Sequence, residues 1–182
     1  MGVTWLTAFL DTPAENAEAS EQFWAAVTGW PLSDRRGSDG EFATLQPHDG
    51  DAVLKAQVVG EPPPGLLHLD VHVDDVAGES ARALGLGAEP LSDASGGYVV
   101  HRSPGGITFC LVPHEARRRP GPVSWPAGHS LVDQVCLDLP GDAYEREAQF
   151  WADLLGWPRT VGAVPPFERL LPPDGQGMHV LV

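Results

Sequence analysis

Apolar residues along this chain alternate between strand-like runs and helical spacing. Thr4 to Leu10 is a short apolar run that reads as a strand. Thr12-Pro13-Ala14-Glu15 then carries the signals of a helix start: a hydroxyl N-cap at Thr12, Pro at the first helical position and Glu three residues after the cap. Ala19, Phe23, Ala26, Val27 and Trp30 follow at helical spacing and predict one buried stripe, which Gly29 and Pro31 end. Phe42 to Leu45 and Ala52 to Val59 read as strands around the turn residues His48-Asp49-Gly50.

The same order returns twice. Leu66 to Val73 predicts a strand, Asp75 caps a helix reaching Leu84, and Gly85 and Gly87 end it. Tyr98 to Arg102 and Ile107 to Val112 are two more strands, joined by the tight turn Ser103-Pro104-Gly105-Gly106. The segment Gln22 to Pro31 recurs as Gln149 to Pro158 with seven of ten residues identical, 127 positions later. Three β-α-β-β-β units in series are therefore expected, an α+β chain of tandem units forming cup-shaped mixed sheets. Glu115 to Pro122, rich in Arg, Pro and Gly, reads as a solvated linker before the third unit.

Composition narrows the partners. With 11 basic against 25 acidic residues the net charge is −14, and a field of that sign repels phosphate backbones and anionic lipid surfaces. Neither nucleic acid nor membrane is expected as a partner. The first residues lack a basic leader pattern, and no run of about 18 apolar residues occurs, so a cytoplasmic protein is expected. Cys110 and Cys136 are too few for a disulfide framework and form no C-x-x-C pair.

The F-W-x(4)-G-W-P helix ends of units one and three, His68-Leu69-Asp70-Val71-His72-Val73-Asp74-Asp75, Leu84-Gly85-Leu86-Gly87-Ala88 and Ser103 to Leu111 together resemble the vicinal oxygen chelate superfamily, and most closely its glyoxalase-like branch. That superfamily includes glyoxalase I, bleomycin-resistance proteins and extradiol dioxygenases. The resemblance implies that two units pair into one domain around a cup. Residues 1–114 would form a complete domain, 115–127 a linker, and 128–182 half of a second domain. In this reading Met178 to Val182 is the beginning of a last strand. The half domain would be cut from a longer chain, the preferred alternative, or completed by its counterpart in a homodimer.

Alternation along the first strand of unit two puts Leu67, Leu69, Val71 and Val73 on one face and His68, Asp70 and His72 on the other, toward the cup. The resemblance makes His68 a potential metal ligand. Counting from the helix cap, the matching position in unit one is Trp5, or Thr4 with a one-residue slip, and neither is a useful ligand. Gln57 is a weak ligand in the last strand of unit one, and Cys110 stands where a carboxylate would complete the set. No catalytic metal is expected on this ligand count; if one bound, His68 and Gln57 would hold it. The expected ligand-binding residues are Trp5, Thr7, Phe9, His68, Asp70 and His72, with Asp70 and His72 a potential acid/base pair. Trp24, Trp30, Trp151 and Trp157 read as scaffold.

Three functions follow from this reading. The first is a metal-free glyoxalase/bleomycin-resistance-like protein that binds a small hydrophobic molecule, cationic ones included, in an acidic aromatic cup. The second is a metal-dependent lyase, isomerase or dioxygenase using His68. The third is a dimerisation or regulatory module whose cup is filled by side chains.

Overall fold

The computed structural model describes residues 2–60, 67–93, 95–113, 116, 118–139, 141–162 and 167–182. Leu66, expected to open a strand, His114, expected to end the first domain, and Glu115 and Arg117 of the expected linker lie outside the described residues. Among the described residues no helix is long and apolar enough to cross a membrane.

Unit one runs β1 (Val3–Pro13), α1 (Ala14–Thr28), β2 (Phe42–Thr44) and β3 (Leu54–Val59), and unit two β4 (Leu67–Val73), α2 (Val76–Gly85), β5 (Glu89–Pro90), β6 (Val99–Arg102) and β7 (Thr108–Val112). Their strands form one mixed sheet in the order β2-β3-β1-β4-β7-β6-β5. At its centre β1 and β4 run antiparallel, with Phe9 opposite His68 and Thr7 opposite Asp70. Each is flanked by the last strand of its own unit in parallel, β3 beside β1 and β7 beside β4. Parallel neighbours require a crossover, which α1 and α2 supply. The α+β architecture read from the sequence is the one observed.

Beyond the hairpin β8 (Val123–Trp125) and β9 (Gly128–Ser130), unit three comprises β10 (Gln134–Cys136), α3 (Tyr144–Leu155), β11 (Arg159–Val161), β12 (Glu168–Leu170) and β13 (His179–Leu181). Its sheet has the order β10-β13-β12-β11. The strand expected to begin at Met178 is β13, and it pairs in parallel with β10 over three residue pairs.

Two local expectations are corrected. Pro13, not Thr12, is the N-cap of α1 and offers no side-chain cap, because β1 passes directly into the helix; the Thr12 hydroxyl instead donates to Ser20 Oγ at 3.4 Å. The stripe of α1 is also misplaced at four of its five positions, Trp30 being the one that is buried. Phe23 and Val27 are 58% and 48% exposed, Ala19 and Ala26 are exposed too, and the buried positions are Ala17 and Thr28 with Trp24 partly covered. In α3 the repeated residues Phe150 and Trp151 are buried. The difference is in what each helix must cover: α1 packs on β1 and β3, whereas α3 also reaches the first sheet, its Phe150 and Trp151 rings lying 5.8 and 5.3 Å from Phe109 of β7. Both helices end at a glycine in the left-handed region, Gly29 at φ 70° and Gly156 at φ 68°.

Unit three is docked on the first sheet by polar as well as apolar contacts. The fully buried Glu147 carboxylate accepts from Ser103 Oγ, from the Gly105 N–H at 2.5 Å and from Trp151 Nε1 at 2.9 Å. Arg82 of α2 donates to the carbonyls of Asp153 (2.8 Å) and Leu154 (2.6 Å) at the C-terminal end of α3. One apolar cluster runs through all three units, from Val3 to Val182. The segment read as a solvated linker is held as well: Arg118 and Gly121 N–H groups donate to Asp51 and Asp49, and Arg119 pairs with Asp133 at 2.6 Å.

Candidate functional site

The face of the first sheet opposite its apolar cluster carries an open cavity of about 550 Å³. Its floor is the alternating polar side of the central strands: Phe9 and Asp11 from β1, Gln57 from β3, His68 and Asp70 from β4, Cys110 from β7. Phe42, Arg36, Lys55 and the half-exposed Tyr98 form the walls and mouth. An open-mouthed cleft of this size with an aromatic wall and a few convergent polar groups has the form of a small-molecule site.

His68 is the centre of the floor. Its Nδ1 lies 2.6 Å from Asp11 Oδ2, and its ring stacks on Phe9 at 4.6 Å between centroids. A carboxylate acceptor at Nδ1 places the ring proton there, which leaves Nε2 turned toward Asp70 Oδ1 at 3.7 Å. Asp11 is 2% exposed, and its other oxygen, Oδ1, has no partner among the described residues although Asp11 lines the cavity. The Cys110 thiol donates to the Asp70 carboxylate. Burial raises the Asp70 carboxyl above the usual carboxylate range, against the opposing pull of His68 and Lys55. Burial, with the Asp70 charge beside it, pushes the Cys110 thiol far up.

Three of the expected binding residues meet at this cavity, Phe9, His68 and Asp70, and three do not line it. Trp5 is buried with its Nε1 donating to the Ala52 carbonyl, and its ring packs where a side chain at Gly177 of unit three would otherwise sit. The Thr7 hydroxyl lies 2.9 Å from Nε2 of the buried His72, so both face inward to each other. The carboxylates placed beside a histidine here are Asp11 and Asp70, both on His68.

The position matching His68 in unit one is Phe9, not Trp5 or Thr4. Phe9 is the residue opposite His68 in the antiparallel pair. Counting back from the helix fails because β1 enters α1 with no intervening residue, whereas Asp74 and Asp75 separate β4 from α2. The donor count also changes. His68, Asp70 and Cys110 each offer one ligand atom, all within 4.8 Å of one another. Asp70 joins the set because it sits two residues from His68 on one face and directly opposite Cys110 on the neighbouring strand. An imidazole oriented by a buried carboxylate, a second carboxylate and a thiol is a donor set that fits a borderline divalent ion such as zinc.

Sequence reasoning missed Asp11, Arg36, Phe42, Lys55 and Tyr98. Two carried a signal. Asp11 continues the alternation Thr7, Phe9, Asp11 once β1 is run past Leu10, and Lys55 shares a strand face with Gln57 and is the only lysine in the chain.

The glyoxalase-like domain family matches residues 7–112. No curated protein matches the chain. Among solved structures, the Mn(II)-bound glyoxalase from Novosphingobium aromaticivorans superposes with a TM-score of 0.61 at 19% identity, covering 99% of this chain and 61% of that one. BphC, a halotolerant catechol dioxygenase, gives 0.58 at 12% identity over 99% and 64%. The 2,2',3-trihydroxybiphenyl 1,2-dioxygenase of Sphingomonas wittichii gives 0.54 at 13% identity over 98% and 68%. The chain thus spans less than two thirds of the length of the first two. The family match covers more than half of the chain and the fold is shared with these structures: the chain belongs to the glyoxalase-like domain family, within the vicinal oxygen chelate superfamily.

Proposed function

We propose that the protein binds a small molecule with an aromatic or otherwise apolar body in the cavity on its first sheet, in the manner of a glyoxalase/bleomycin-resistance-like binding protein. The observation that carries this reading is the cavity itself: about 550 Å³, with Phe9, Phe42 and Tyr98 around a buried His68–Asp11 pair. A space of this size takes a ligand of one or two rings. A module whose cup is packed with its own side chains would have no such space. The neutral fluorescent probe N-phenyl-1-naphthylamine tests the reading. Its emission should rise and saturate with the native protein, and Thr108→Trp, which places an indole on the cavity wall, should abolish the rise without lowering the melting temperature. No enhancement with native protein, or an equal one in the variant, overturns the reading.

The cluster of His68, Asp70 and Cys110 favours a second reading, a metal-dependent lyase, isomerase or dioxygenase. Those three side chains would hold the ion, with Asp11 fixing the His68 ring; a bound divalent ion supplies Lewis-acid polarisation of a substrate oxygen. Elemental mass spectrometry of untagged protein after incubation with zinc, manganese, nickel and iron separates the two. A stoichiometric metal that is lost in His68→Ala supports the enzyme, and no retained metal removes it.

A further inference from the structure

Beside the acidic floor, the cavity has a basic side whose charges have no carboxylate within ion-pair distance among the described residues. Lys55, the only lysine among 182 residues, projects from β3 with its ammonium 5.1 Å from the centroid of the Phe9 ring. Arg36 lies beside it. The Arg36 guanidinium donates to Thr44 Oγ1 at 2.7 Å and to Ser33 Oγ at 3.4 Å, and Thr44 is the residue directly opposite Lys55 on β2. Two hydroxyls therefore hold the guanidinium in place while leaving its charge uncompensated, with further N–H donors available on a group that carries five.

The contrast with the rest of the chain is informative. Among the described residues Arg35, Arg82, Arg102, Arg119 and Arg159 each lie within ion-pair distance of a carboxylate, whereas Arg118, Arg146 and Arg169, like Arg36, do not; Arg36 differs from those three in lining the cavity beside a second cation. Carboxylates outnumber basic side chains by 25 to 11, so a partner for every cation is abundant. Among the described residues none stands within that distance of Lys55 or Arg36. Asp70 is the carboxylate whose field reaches Lys55, and it is already engaged by His68 and Cys110. Lys55 is partly buried and Arg36 exposed, so water screens part of their mutual repulsion, and an anion seated between them would relieve the remainder.

Resting on the small-molecule reading above, we infer that the ligand is an anion: an aromatic or similarly flat apolar body against Phe9, Phe42 and Tyr98, carrying a carboxylate or like oxyanion that seats between Lys55 Nζ and the Arg36 guanidinium. This reverses the expectation of a cationic ligand drawn from the acidic composition. The cavity's carboxylates are engaged in the His68 floor, Asp11 through Oδ2 and Asp70 by His68 and Cys110, while Asp11 Oδ1 is left as an acceptor for a neutral donor on the ligand. The free charges at the wall are positive.

A charge series on one ring system tests this: 2-naphthoate, 2-naphthamide and 2-naphthamidine compete against bound N-phenyl-1-naphthylamine. The naphthoate should displace the probe at concentrations about tenfold below the amide, as a charge-assisted contact would give, with the amidine weakest. Arg36→Gln, at an exposed position, and Lys55→Gln should each shrink the ratio of naphthoate to amide affinity, whatever each does to binding of the amide itself. If the probe binds but the amide or amidine competes as well as the naphthoate, or if the preference survives both substitutions, the anion inference is overturned while the cavity reading stands. If neither the probe nor any competitor binds, the cavity reading falls and the inference with it.

Discussion

The contact between unit three and the first sheet is a sensitive place to test the fold. Glu147 is fully buried, and its carboxylate accepts from Ser103 Oγ, Gly105 N–H and Trp151 Nε1. Glu147→Gln keeps the size of the side chain but turns one acceptor oxygen into a donor. In the better amide orientation the remaining oxygen keeps Ser103 and Trp151, and the new NH₂ faces the Gly105 N–H. One buried donor is then left unsatisfied against another, at a cost of about 1–3 kcal/mol. For a chain of this length each kcal/mol lowers the melting temperature by roughly 2–4 °C, so a fall of about 4–8 °C is expected for a mid-range loss. Glu147→Ala strands all three donors and opens a void, and should fall further. Differential scanning calorimetry reads both, and hydrogen exchange should show faster opening of the Ser103–Ile107 turn. A Glu147→Gln protein that melts with the native one would refute the claim that this carboxylate joins the units.

Phe23→Ala should change stability by less than about 0.5 kcal/mol, whereas Phe150→Ala at the repeated position should cost about 3–5 kcal/mol, both read by urea unfolding; equal losses would contradict the opposite burial of the two helices. Asp70 has its folded pKa raised, so its contribution to stability is full below the ordinary carboxylate range and is lost as pH rises through the folded value. Asp70→Asn, which imitates the neutral form, should therefore match native protein in acid and melt above it at pH 8, and a lower melting temperature there would reverse the sign. Thiol titration with an aromatic disulfide at pH 8 should count one fast equivalent, the exposed Cys136, with Cys110 reacting only after unfolding; two fast equivalents would contradict the buried, strongly raised Cys110 thiol.

What the sequence disclosed divides by the distance over which each feature is encoded. Period-two alternation in β4 placed His68 and Asp70 on the open face, because strand geometry makes that a local matter. The repeated helix ends revealed the units for the same reason. The partners of His68 were not legible, since Phe9, Asp11 and Cys110 reach it through pairings between strands 40 to 60 residues apart. A register of that kind is set by the packed sheet and not by any one segment. Helix burial failed by the same logic. Phe23 and Phe150 occupy equivalent positions of the repeat, but the α3 ring packs against Phe109 of the first sheet, so one sequence motif serves an exposed face in one copy and a core in the other.

The wall of Arg36 and Lys55 shows what this implies for reading function from composition. A net charge of −14 states how the molecule looks from several nanometres away, where anions are repelled. At contact distance in a cavity the sign is decided by which charges remain uncompensated, because screening by water is weakest there. The acidic residues at this site are consumed within the protein, by the His68 ring and the Cys110 thiol, and the basic ones are held by the neutral hydroxyls of Ser33 and Thr44 or stand over an aromatic ring. The long-range field and the local site therefore point to ligands of opposite charge. For a small molecule that must leave water and touch Phe9, the contact term decides affinity, while the surrounding field slows its arrival.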